Sequence, residues 1–442
     1  MMGASKPISR MAVRNVRRNW RHSMGTLLSI AVGFVAIGLF EGYLDNLMVF
    51  QATAMSKQGM YGDLLVEREG ASSSEGHEDP WAFHLGEREQ SFIDGYLAEH
   101  SSEVLTRARF LSMTGLASTG KAGAVFLGSG YDVAEGAALR GEFQWLAVAG
   151  KPLELSGPSS VMLAQGLGRI LDCEAASNEP ARGADGRLIA KERPMKCRRP
   201  RAQLTATTQR GQLNVVELDV AGLFSGGLQE LDTRLLLVPL SQAQRLLDTD
   251  DVSLVSVALR EGVDPKRFAA ALQGAAKSKG LSLSAMRWQD HEVGELYRRS
   301  SELLGIYRSF MVLVVVTIAA MSVLMTMMKA VSERTREIGT LRSLGFLRRH
   351  VLWLFIVEAG LLAMLASVAG AVLTLAATLA INHLGITYSA GISTEAIPLA
   401  VQVVPRVYLF AMGFLSLVAM AAAFVPARRG AWLAIPEALG HV

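Results

Sequence analysis

Residues Glu333 to Phe346 read ERTREIGTLRSLGF, and they stand between two apolar runs, Leu303–Met328 and Val351–Ile381. Each run is longer than the ~20 apolar residues a helix needs to cross a bilayer, so both are read as transmembrane spans. The joining segment and its flanks carry Lys329, Arg334, Arg336, Arg342, Arg348 and Arg349. Such a Lys/Arg cluster beside span ends marks the cytoplasmic side. Two readings fit the segment: a basic loop held at lipid headgroups, or a short helix that a soluble partner grips. Glu333 and Arg336, and likewise Arg334 and Glu337, stand three residues apart, the spacing of helical ion pairs. Ile338, Leu341 and Leu344 supply apolar contact, and Gly339 and Gly345 allow sharp turns at the two ends of that apolar piece.

Outward from this segment, the chain of 442 residues is 50% hydrophobic, and its apolar residues gather toward the two ends. The net charge of +4 is accounted for by basic residues beside the spans, so it does not point to nucleic acid. Residues 1–23 contain Lys6, Arg10, Arg14, Arg17, Arg18 and Arg21 and no acid. Arg10, Arg14, Arg17 and Arg21 share one helical face, with Val13, Val16, Trp20 and Met24 on the adjoining one. That pattern is an amphipathic helix at the inner membrane surface, serving as an anchor, a partner contact, or both. The first span starts at Met24–Phe40 and is uncleaved, because the A-x-A match at Ala52–Ala54 lies well past it. Its helical pattern continues as GYLDNLMVFQATAMSK, beyond the bilayer, with Glu41 and Asp45 at the outer boundary. A helical stretch at Val293–Ser301 leads into the second span and is placed to pair with that extension as a stalk.

The third span contains Glu358. A carboxylate at mid-membrane costs about 2.5–3.5 kcal/mol, so a cationic or polar partner is expected, with Arg342 or a helix N-terminus favoured over proton transport. The outer stretch His383–Pro405 has no Lys or Arg, and the fourth span, Val407–Val425, returns to Arg428 and Arg429. The expected fold is a membrane protein with four transmembrane α-helices and a large mixed α+β extracytoplasmic domain between the first and second spans. Its parts are 1–50, 51–300 and 301–442, with both termini cytoplasmic.

Within the insert, strand patterns fall at Asp63–Glu67, Val104–Ala117, Ala124–Leu127, Leu213–Leu223, Arg234–Val238 and Leu254–Leu259. Helical patterns fall at Glu87–Glu99, Val161–Leu171, Ser241–Leu247 and Pro265–Lys277. Gly115, Gly120 and Lys121 fit the phosphate-loop spacing, but Ala122 replaces the magnesium-binding hydroxyl and the match sits between two strand-like runs, as a hairpin turn does. Nucleotide binding there is therefore not expected. His77, His84 and His100 match no compact metal motif and are read as surface residues, with no metal site. Cys173 and Cys197 bracket a polar, turn-rich stretch. An extracytoplasmic location favours a disulfide at its base over two buried thiols.

ERTREIGTLRSLGF resembles the cytoplasmic loop of the MacB/FtsX/LolC-type ABC transporter permeases, with its E-R-x-x-E-I-G-x-L-R-x-L-G pattern. The resemblance extends to AVRNVRRNWRHSMGTLLSIAVG, to VPARRGAWLAIPEAL and, more loosely, to SVMLAQGLGRIL and DVAGLFSGGLQELDTRLLLVPLSQAQRLL. It implies a bacterial inner-membrane permease subunit with a MacB-like periplasmic domain. Its coupling helix would dock a separate LolD/MacB-like ATPase through Glu333, Arg334, Arg336, Glu337, Ile338, Gly339, Leu341, Arg342, Leu344 and Gly345. It further implies no cofactor in this chain, with ATP and Mg on the ATPase. A second permease copy or paralogue, membrane lipid and a periplasmic lipoprotein or adaptor are the other implied partners. The LolC/LolE branch fits better than MacB, since no ATPase is fused, and its transport mode is release of a lipoprotein, lipid or other hydrophobic cargo. The alternative is an FtsX-like signalling subunit that regulates a cell-wall hydrolase. Against the family as a whole, the Cys173–Cys197 stretch reads as an insertion.

The topology is tested by single cysteines in a background without Cys173 and Cys197. A thiol at Ser73 should label from outside intact cells with an impermeant reagent, and one at Ser332 should not; labelling of Ser332 overturns the topology.

Overall fold

Among the described residues of the computed structural model, four helices are long and apolar enough to cross a membrane. They are α1 (Trp20–Thr53), α7 (Glu295–Glu333), α9 (Arg348–Leu384) and α10 (Pro405–Trp432). The structure describes residues 20–141, 147–176, 194–227, 229–389 and 396–433. Most of the expected basic N-terminal helix, the stretch between the cysteines and the last residues of the C-terminal resemblance lie outside these. The chain divides into a helical unit (Met1–Met48, Ser301–Ile386 and Leu399–Val442) and an outer unit (Val49–Ser300 and Thr387–Pro398).

In the helical unit, the four-residue spacing of small side chains decides the packing. Ala411, Leu415, Ala419, Ala423, Ala427 and Ala431 form one buried face of α10, against Phe355, Ala359, Leu362, Ala363 and Ala366 of α9. Alanines on one stripe let helix backbones approach closely, which is how apolar helices gain contact in lipid, where burial alone yields little. Val315, Ala319, Val323 and Met327 give α7 a similar buried face, in the same cluster as Ile30, Phe34 and Ile37 of α1. Polar contacts join the same two helices: Ser322 donates to Ser29 at 3.3 Å, and Glu41 meets Arg308 at 2.9 Å. Within the outer unit the extended ends of α1 and α7 also meet, where Ser300 donates to Gln51 at 3.2 Å.

The outer unit is built on ten strands in one sheet. Strand β1 (Leu64–Arg68) lies between β11 (Leu254–Leu259) and β12 (Leu283–Arg287), and β11 joins β2 (Val104–Ser118). From β2 the sheet continues through β3 (Gly123–Tyr131), β10 (Leu235–Pro239), β5 (Ser160–Ala164) and β9 (Leu213–Phe224). Strand β8 (Arg201–Thr207) pairs with both β9 and β2, so these six strands close on themselves. Closure removes exposed edges. Gly115 makes it possible: a Cβ there would stand 2.1 Å from the Thr205 carbonyl oxygen of β8. Helix α5 (Leu240–Leu247) buries Leu240, Ala243, Leu246 and Leu247 against this ring. Helices α2 (Glu87–Glu99) and α6 (Pro265–Ser278) add Ile93, Leu97, Phe268 and Leu272 to the same core.

The phosphate-loop match is a β2–β3 hairpin, with Thr119 N–H donating to Ala122 O at 3.0 Å and Gly120 at φ +82°. One expected helix is corrected. Val161–Leu171 is not helical throughout: Val161 to Ala164 belong to β5, and only α4 (Gln165–Ile170) is helix. A fully buried apolar run carries no period, so pattern alone does not separate strand from helix. The switch is placed by buried Asp232, which accepts from Gly166 N–H at 2.6 Å and from Gly226 N–H at 2.8 Å. The histidines also differ among themselves. His77 is exposed against Glu292, and His100 stacks on Tyr96. His84, expected at the surface, is buried against Trp81, and burial pushes its pKa down.

Cys173 and Cys197 are directly opposed in the antiparallel pair β6 (Cys173–Ala175) and β7 (Met195–Cys197) and form a disulfide. At a sequence separation of 24, the crosslink should contribute about 3–4 kcal/mol by restricting the unfolded chain. Replacing both by Ser should lower the urea midpoint of the outer unit, followed through buried Trp288. An unchanged midpoint, or free thiols in a non-reducing peptide map, would remove this role.

Candidate functional site

Between α7 and α9 lies the helix α8 (Thr335–Ser343), set off by local chemistry at both ends. Arg334 leaves helical geometry at ψ 17°. Thr335 Oγ1 donates to the carbonyls of Val331 and Ser332 at 3.0 and 2.9 Å, capping the end of α7. At the other end Gly345 N–H donates to Arg342 O and Phe346 N–H to Leu341 O, with Gly345 at φ +96°. This is the two-bond helix stop for which glycine is suited. Gly345 thus turns the chain as its type suggests. Gly339 does not: it lies inside α8, on the buried side.

The motif divides between two faces. Arg334, Thr335, Ile338 and Gly339 are buried, Leu341 and Arg342 are half-buried, and Glu333, Arg336, Glu337, Thr340, Ser343 and Leu344 are exposed. Ile338 lies over Gly430 of α10, where a Cβ would come within 2.7 Å of Val331 Cγ1 and 3.6 Å of Ile338 Cδ1. Ile338 therefore faces the bundle, whereas Leu344 is 75% exposed. Arg342 donates to the carbonyl of Leu433, while Arg348 and Arg428 each lie 5.7 Å from the Trp432 ring. Glu333 faces Lys329 at 3.8 Å, where the three-residue spacing suggests Arg336.

Among the described residues of the helical unit, Glu358 is the most buried carboxylate, at 3% exposure. Its partner is Arg334, whose Nη1 donates to both carboxylate oxygens at 3.0 and 2.9 Å. This corrects the expectation of Arg342, which is held instead at the end of α10. The break at Arg334 sends its side chain toward α9, whereas Arg342 lies two turns further along α8. In the outer unit, Ser72 donates to Glu67, and His291 Nε2 meets both. His291 Nδ1 accepts from Val293 N–H at 3.2 Å, so both ring nitrogens are held by fold contacts.

Residues 309–435 match the FtsX-like permease C-terminal family. The FtsX-like region thus takes in most of α7 and all of α8 and α9, and ends just past α10. No curated protein matches the chain. The extracellular domain of the noncanonical ABC-type transporter YknZ from Gram-positive bacteria aligns at 14% identity and a TM-score of 0.31, covering 51% of this chain and 98% of that one. The periplasmic region of MacB from Actinobacillus actinomycetemcomitans aligns at 11% and 0.33, covering 55% and 92%. A domain of a putative permease protein from Porphyromonas gingivalis aligns at 14% and 0.25, covering 43% and 74%.

Gly430, Trp432 and Leu433 were not legible as parts of this site. The only trace of them in the sequence is a small residue and an aromatic among tail arginines. Gly430→Val should overpack the seat of α8 at a cost of about 1–3 kcal/mol. Tryptic cleavage after Arg336 and Arg342 should then be faster in membranes. Wild-type cleavage would show that Gly430 does not seat the FtsX-like helix.

Proposed function

We propose that this chain is the permease subunit of an ATP-binding-cassette transporter in a bacterial inner membrane. Both termini lie in the cytoplasm and the outer unit in the periplasm. The observation that carries the reading is α8: a short helix pinned by its inner face and offering Arg336, Glu337, Thr340 and Leu344 outward, inside an FtsX-like region. A separate ATPase docks on that face and holds ATP and Mg, while this chain binds no cofactor. Its closure moves α8, and the extended ends of α1 and α7 relay the motion outward. The ATPases of such a pair act on two permeases, here a second copy or a paralogue. The cargo class is a lipoprotein, lipid or other hydrophobic molecule taken from the outer leaflet or periplasm, with a periplasmic lipoprotein or adaptor as acceptor. The closed strand ring and its packed helices make the outer unit large for a purely regulatory extension, which supports cargo handling.

A lipid-facing basic loop needs only positive charge, whereas a docking face needs a specific pattern. Glu337→Lys and Leu344→Asp separate the two. Loss of a charge contact at an interface costs about 2–5 kcal/mol, a tenfold or greater fall in affinity. Both variants should insert normally, fail to co-purify the ATPase and lose its stimulated turnover. Full recovery and turnover in both would leave α8 a membrane-surface loop.

A further inference from the structure

Chain continuity makes α8 look like the last turns of α7, but the contacts attach it elsewhere. The helix breaks at Arg334, and the neighbouring Lys329–Glu333 pair is exposed, at 64% and 43% of the side chains. Exposed pairs of this kind hold little. Across the break, Arg334 and Glu358 are 10% and 3% exposed and joined through both carboxylate oxygens. In so dry a place the attraction is strong and separation of the charges is heavily penalised. Arg334 is the residue between the two helices, and Glu358 lies in the third turn of α9. The pair therefore fixes the start of α8 to α9; across the break the Thr335 hydroxyl, donating to Val331 O and Ser332 O, ties a side chain of α8 to the last turn of α7 by neutral hydrogen bonds, which leaves the backbone at Arg334 as the softer joint. The far end of α8 is held by Arg342 on Leu433 O and by Ile338 against Gly430, both at α10.

We infer that Arg334 and Glu358 are positioning residues that make α8 and α9 one rigid body, so that a push on α8 is delivered to the third span while α7 hinges at Arg334. The inference rests on the docking role of α8 for its purpose but not for its geometry. The opposite assignment, with α8 riding on α7, predicts a flexible α8–α9 relation.

The test uses nitroxide pairs in the full chain in lipid nanodiscs, with and without the co-purified ATPase and a non-hydrolysable ATP analogue. One pair is placed at Ser343 and Leu365, on α8 and the exposed side of α9. The other is at Ser343 and Met325, on α8 and α7. In the native chain the first distance should be single and narrow and should not change with nucleotide, while the second shifts. Glu358→Gln should lose the narrow first distribution, yet still co-purify the ATPase. Its ATP turnover should no longer respond to this chain. Arg334→Glu combined with Glu358→Arg should restore the narrow distance. If Glu358→Gln inserts poorly, Arg334→Lys is read by the same distances. A first distance that stays narrow in the single variants overturns the inference, as does one that is broad in the native chain. Failure of the native chain to co-purify an ATPase defeats the transporter reading instead, while the distances without nucleotide still decide the strut.

Discussion

Glu358 lies inside an apolar helix at 3% exposure, and Arg334 makes that position tolerable. A buried ion pair is weak evidence for stability, because desolvation offsets most of the attraction; its strength lies in the cost of pulling it apart. That asymmetry turns the pair into a constraint on geometry. Arg334 must leave the helical path to reach α9, so α7 ends there and α8 begins. Thr335 then caps the broken end, and Ile338 comes to rest on α10. The seat of α8 follows from one carboxylate placed three turns into a span.

The outer unit solves a different problem with different means. In water its strands must bury one face and hide their edges. Strand β8 does both by bridging β2 and β9, and it needs Gly115 to come close enough. The packed ring is then lined by Leu111, Met113, Phe126, Leu163, Leu204, Leu218 and Leu236, with Ala243 and Leu246 of α5 against it. The result is a core, with the cystine at Cys173 and Cys197 as a local clamp on a short strand pair.

Most of this architecture was legible because strong periods announce themselves. Long apolar runs with basic flanks identify all four spans, and the alternation in Leu213–Phe224 and the helical period in Glu87–Glu99 survive intact. What escaped has physical reasons. Ser160–Ala164 is buried on both faces and so shows no alternation. Arg201–Thr207 alternates, but its inward residues include two alanines, Ala202 and Ala206, too small to mark a buried face. In the site, the spacing placed the pairs of ERTREIGTLRSLGF within the segment. The contact that matters runs 24 residues away to Glu358. Local spacing is blind to a pairing across two helices, though a lone carboxylate in a span was the signal that a cation had to be found.

The same stretch then shows why a motif is not a surface. Read as a string, its charges and apolar residues look like one amphipathic patch open to a partner. In the folded chain, Arg334, Ile338 and Gly339 face the bundle with half-buried Arg342 beside them, and Arg336, Glu337 and Leu344 face away. The inward set fixes where the helix is; the outward set decides what it meets. Because a nine-residue helix has little stability of its own, it depends on tertiary contacts to exist at all. A substitution on the inner face therefore changes how the outer one is held, whereas the reverse does not hold. Contact can thus be made and broken outside without loosening the anchorage within.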